Sequence, residues 1–81
     1  MAKPSPSHAR NPKVVALGVE IRKARLELGW SQEQLAAEAG LDRSYMGGIE
    51  RGEHNLALVN LFKISDALGL PLSELFSKAK L

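Results

Sequence analysis

Between Ser31 and Gly52 the chain carries two full sets of helix start and stop signals, separated by only three residues. Ser31, followed three residues later by Gln34, is a capping box, in which side chain and backbone at a helix start satisfy each other's hydrogen bonds. Trp30 before the cap and Leu35 after it form a hydrophobic staple. The helix begun there runs from Gln32 to Ala39 and stops at Gly40. Asp42 caps the next, Leu41 and Met46 staple it, and it ends near Arg51 with Gly52 beyond. Helices this short, joined through Gly40-Leu41-Asp42, cannot pack antiparallel and must cross at a large angle. The crossing needs a small residue at the contact and a turn residue that tolerates positive φ. Ala36 and Gly40 supply them, and Leu35, Ala39, Leu41, Met46 and Ile49 form the shared apolar seam.

The rest of the chain keeps a helical period. Val14, Leu17, Ile21, Ala24 and Leu28 make one stripe of a first helix, which Pro12 can open and Gly29 ends. After a polar turn, Glu53-His54-Asn55, a fourth helix carries Leu58, Leu61, Ile64, Ala67 and Leu68 and closes at Gly69. A short fifth helix from about Pro71 places Leu72, Leu75 and Phe76 together. No alternating strand pattern occurs, so the fold class is all-α with five short helices.

An 81-residue chain has apolar surface for one core only, which makes it a single domain, placed at residues 13–77. Residues 1–12 hold three of the four prolines and almost no apolar content, and are expected to form a disordered N-terminal arm. Residues 78–81 are expected to form a basic tail. The absence of cysteine excludes a disulfide scaffold, a thiolate metal site and a cysteine nucleophile. No apolar run reaches the roughly 18 residues of a membrane span, and the N-terminus lacks a signal-peptide core, so a cytoplasmic protein is expected. The net charge of +2 is unevenly spread: +3 over residues 1–13, +2 over the last four, and −3 over residues 14–77. Bulk charge therefore does not identify a nucleic-acid-binding protein. Neither His8 nor His54 has a second His, a Cys or a close carboxylate pair, so no metal or cofactor is expected. With no nucleophile–base pair and no phosphate loop either, an enzyme is not expected.

The stretch QEQLAAEAGLDRSYMGGIER, residues 32–51, resembles the helix-turn-helix of phage repressors and Cro. The wider span from IRKARLELGWSQEQLA to ALGLPLSELF resembles the Xre family, with its five-helix, lambda-repressor-like DNA-binding domain. Within it, GLDRSYMGGIERGEHNLALVNL is similar to controller proteins of restriction–modification systems. The resemblance implies a sequence-specific transcriptional regulator, a homodimer that reads a pseudo-palindromic double-stranded DNA operator. RNA polymerase is a further partner that such a regulator could contact.

The resemblance also implies roles for individual residues. The third helix would enter the major groove. There the planar fork of Arg43 suits the O6 and N7 of a guanine. Ser44 suits a base or phosphate, and Tyr45 a phosphate or a thymine methyl. Gln32, at the start of the second helix, would clamp a phosphate. Arg51 and Asn55 would hold the other side of the backbone. Gly47-Gly48 departs from the phage repressors, which carry side chains there: either the two glycines let the helix approach DNA closely, with Gly48 among the DNA-binding positions, or readout is thinner and shared with DNA shape. Arg25 and Glu50 match positions that form a buried ion pair fixing the first helix on the third. Apart from the resemblance, part of the cluster Leu72, Leu75, Phe76 and Leu81 must close the core, yet a domain this small often leaves such a C-terminal face for self-association. Leu72, Leu75 and Phe76 are expected to form the dimer interface. The rival is an antitoxin-type protein-binding module on the same fold, which would need an exposed partner surface.

Overall fold

A computed structural model describes residues 11–81. Five helices and no strand occur among the described residues: α1 Pro12–Glu27, α2 Gln32–Ala39, α3 Arg43–Glu50, α4 Leu58–Leu68 and α5 Leu72–Lys78. The expected arm lies outside the described residues up to position 10. Asn11 and Pro12 do not belong to it. Asn11 caps α1, its Oδ1 accepting from the Lys13 amide at 2.8 Å, and Pro12 is the first helical residue.

Each helix contributes one fully buried side chain to the centre: Ile21, Leu35, Met46, Ile64 and Leu75. Leu17, Ala24, Ala36, Ala39, Ile49, Leu61 and Leu68 complete the cluster, with Trp30 and Leu41 half-buried against it. α2 packs on α3 and α4, while α1 packs on α3 and α5, so α3 is clamped between the first two helices. The stripe of α1 holds from Leu17 to Ala24. Leu28 leaves it, because the helix ends at Glu27 and Leu28 turns out as the terminal cap, 46% exposed.

The turn between α2 and α3 is closed by backbone geometry. Gly40 adopts φ 71, ψ 34; its amide donates to the Ala37 carbonyl at 3.2 Å, and that of Leu41 to the Ala36 carbonyl at 2.8 Å. This is the Schellman termination, which a left-handed residue alone completes and glycine adopts without Cβ strain. It points the chain straight into the Asp42 cap two residues later.

Two sequence expectations change at the chain end. Residues 78–81 are not a loose tail: Lys78 ends α5, Ala79 is buried, and the Leu81 amide donates to the Phe76 carbonyl at 3.0 Å. Leu75 is not interface surface either. It is wholly enclosed in the protomer's own core, leaving Leu72 and Phe76 half-buried around it. On α4, by contrast, Leu58, Val59 and Phe62 are 59%, 59% and 49% exposed and share one face.

Candidate nucleic-acid interface

The site begins with what holds α3 in place. Arg25 of α1 grips Glu50 at the end of α3 with two parallel hydrogen bonds, Nε to Oε2 at 2.7 Å and Nη2 to Oε1 at 3.0 Å. The side chains are 7% and 1% exposed. Charges buried this deeply destabilise unless every donor and acceptor is used. Here the remaining guanidinium nitrogen, Nη1, donates to the Trp30 carbonyl at 2.8 Å, and Glu50 Oε1 also accepts from Gln32 Nε2 at 3.0 Å. No buried side-chain nitrogen or oxygen among the described residues lacks a partner. Glu50 thus ties α1, the start of α2 and α3 together.

Gly18 supports the same junction and carries no signal in the sequence. A Cβ built there would stand 2.5 Å from the Ile49 carbonyl oxygen and 2.7 Å from that of Glu50. Only a residue without a side chain lets α1 lie this close to the end of α3.

The opposite end of α3 is open. Asp42 Oδ2 accepts from the Ser44 amide at 3.0 Å and the Tyr45 amide at 3.3 Å, and Ser44 Oγ donates to the same oxygen. The Ser44 hydroxyl first, then the Tyr45 and Ser44 amides, hold the Asp42 carboxyl below its ordinary range. Arg43 and Ser44 are exposed, and among the described residues the Arg43 side chain makes no hydrogen bond or ion pair. Tyr45 is half-buried and held on two sides. Its hydroxyl accepts from Asn60 Nδ2 at 2.9 Å, and its ring lies 5.0 Å from that of His54, tilted by 39°. Neither Asn60 nor His54 is marked in the sequence as a partner of Tyr45, since both come from segments that only the fold brings near.

The remaining residues sit closer to protein than the sequence implied. Gln32 is anchored on Glu50, so its amide is oriented by α3 and not by solvent. Arg51 is paired with Glu53 through two contacts of 3.1 Å, which raise the guanidinium's pKa further by the hydrogen bond and the charge of Glu53. Asn55 is exposed at the rim of an apolar hollow of about 190 Å³ lined by Val14, Leu17, Leu61 and Phe76. Gly48 differs most: it is buried, and a Cβ built on it would fall on the His54 imidazole. Its missing side chain makes room for a protein ring. Gly47 plays a similar part, since a Cβ there would meet Arg51 Nη1 at 3.2 Å and Gln32 Oε1 at 3.3 Å.

The geometry is therefore a rigid helix with one end locked inside the protein and a polar first turn held out from it. No described helix is long and apolar enough to cross a membrane, and no cluster of metal-ligating side chains occurs among the described residues.

Comparison with known proteins agrees with this arrangement. The helix-turn-helix family matches residues 21–75. The chain is 53% identical over 58 residues to the control protein C.MunI of Mycoplasma sp, covering 72% of this chain and 76% of that protein. It is 46% identical over 59 residues to the control protein C.BamHI of Bacillus amyloliquefaciens, covering 72% and 73%. The crystal structure of the restriction–modification controller protein C.AhdI from Aeromonas hydrophila superposes with a TM-score of 0.75 at 48% identity, covering 76% of this chain and 94% of that one. These relatives favour a DNA-binding regulator over the antitoxin-type module. With the family matched across more than half its length, the chain belongs to the Xre-type helix-turn-helix regulators.

Proposed function

We propose that the chain binds operator DNA as a homodimer, with α3 of each copy in the major groove of one half-site, and controls restriction–modification genes. The observation that carries this reading is the first turn of α3, where Arg43, Ser44 and Tyr45 project from a helix whose far end is fixed by a buried ion pair. A base-reading side chain discriminates only when its backbone cannot drift, and that lock provides the rigidity. Arg43 takes a guanine edge, and Ser44 and Tyr45 flank it. Gln32 and the free amides at the start of α2 take one phosphate, while Arg51 and Asn55 take others. Arg51 would exchange Glu53 for the phosphate on binding. The control-protein relatives support the choice of regulated genes.

The two copies meet through the exposed face of α4, Leu58, Val59 and Phe62, which directly follows the α3–α4 turn. Half-sites one helical turn apart require a two-fold axis that sets the two α3 helices side by side, and on this reading the axis passes through that face. A bound dimer that contacts RNA polymerase would activate, and one that covers the promoter would repress.

The test is a gel-shift titration on the promoter of the protein's own gene, with the half-site spacing varied. A five-base-pair insertion between half-sites places them on opposite faces of the duplex and is expected to abolish tight binding. Binding that ignores the insertion would contradict the dimeric reading. Val59→Asp, which puts a charge on the proposed two-fold face, is expected to leave a folded monomer by sedimentation.

A further inference from the structure

α3 has a gap in its outward face. Ser44 and Tyr45 are followed, four and three residues on, by Gly48, so all three share one side of the helix. Met46 and Ile49 point the other way, into the core. At Gly48 the helix offers no side chain of its own. The space is filled by His54, from the turn after α3: a Cβ at position 48 would coincide with the imidazole edge that carries Nε2. The ring is half-buried and lies beside that of Tyr45, 5.0 Å away. Among the described residues it makes no hydrogen bond, so a positioned ring keeps both nitrogens without a protein partner. Neither nitrogen is buried, so both stand open to solvent or to a ligand.

We propose that His54 is an operator-contacting residue, standing in for the side chain that α3 lacks at Gly48 and donating an imidazole N–H to an acceptor on the major-groove wall. The acceptor is either a phosphate oxygen or a purine N7 or O6. The proposal rests on the DNA-binding reading and extends it to a residue outside the recognition helix. Gly48 and Tyr45 are then positioning residues as well: one vacates the seat and the other walls it.

The experiment starts by letting the wild-type protein select duplexes from a randomised pool, and then measures affinity for the selected duplex and for a random one. His54→Ala is expected to weaken binding of the selected duplex about tenfold, the effect of losing one directed hydrogen bond, with the melting temperature unchanged. Gly48→Ala should give a similar loss by displacing the ring, with the melting temperature read beside it to separate lost contact from lost folding. In the double variant the losses should not add, since both remove one contact. If His54→Ala also melts early, Gly48→Ala and the double variant decide.

Repeating the selection with His54→Ala separates the two acceptors. Relaxed preference at one base pair identifies a base, and uniform weakening identifies a phosphate. Wild-type affinity in both single variants would overturn the proposal while leaving DNA binding intact. A pool from which the wild-type protein selects nothing would overturn the DNA-binding reading, and this proposal with it.

Discussion

The two ends of α3 are built on opposite principles. At Glu50 the helix is closed: two charges lie inside the protein, each prong of the guanidinium and each carboxylate oxygen is bonded, and three helices meet on one side chain. At Arg43, one helix length away, the residues are exposed and the local bonds run from the Ser44 hydroxyl and the first-turn amides to the Asp42 cap. The closed end contributes stability and a fixed direction; the open end contributes chemistry for a partner. A substitution at either end should therefore affect one property and spare the other.

The largest expected effect is at the closed end. Glu50→Ala leaves Arg25 charged and unpaired inside the protein, a loss of about 3–5 kcal/mol. For a domain of this size that lowers the melting temperature by well over 10 °C. Replacing Arg25 and Glu50 together by Met and Leu should recover most of it, because two well-packed apolar side chains leave no charge to desolvate. A Glu50→Ala protein with the wild-type melting curve would remove the distinction between the two ends.

Next in size is Arg43→Ala, expected to cost about 1–3 kcal/mol in operator discrimination while leaving thermal stability unchanged. Equilibrium titrations on matched and mismatched duplexes, beside calorimetry, read both properties. Asn60→Ala lies between the ends. It removes the bond to the Tyr45 hydroxyl, and should weaken operator binding severalfold and stability by about 1 kcal/mol.

The smallest effect concerns acid. The Ser44 hydroxyl and the two first-turn amides hold the Asp42 carboxyl low. A lowered folded value gives stability that is present above the unfolded carboxyl's range, roughly pH 4, and is lost as pH falls through the folded value. Asp42→Asn caps comparably without titrating. The wild type should therefore lose its advantage over Asp42→Asn as the pH is lowered, and melting curves that stay parallel down to acid would contradict the assignment.

Local chemistry was readable in the sequence, and distant contacts were not. Ser31 with Gln34, Asp42 and Gly40 announce the α2–turn–α3 unit because a cap is made within three or four residues. The Asn11 cap was equally local; Asn before a helix-opening Pro carries the signal, yet the proline-rich neighbourhood suggested an arm. Leu75 shows where periodicity stops. In a seven-residue helix Leu72, Leu75 and Phe76 share a side, and only the positions of α1 and α4 decide which of them the core encloses. The Gly47-Gly48 pair reads as a gap in either case. That His54 fills it depends on how the chain turns after Gly52, which no spacing rule specifies.

The central claim is that a locked helix presents a first turn that reads DNA sequence. It is tested most directly by equilibrium titration of the wild-type protein against its own promoter duplex and a random duplex of equal length, at one fixed salt concentration. The account predicts at least a thousandfold preference for the promoter, the lower end of what specific recognition provides. Equal affinity for the two duplexes would contradict it.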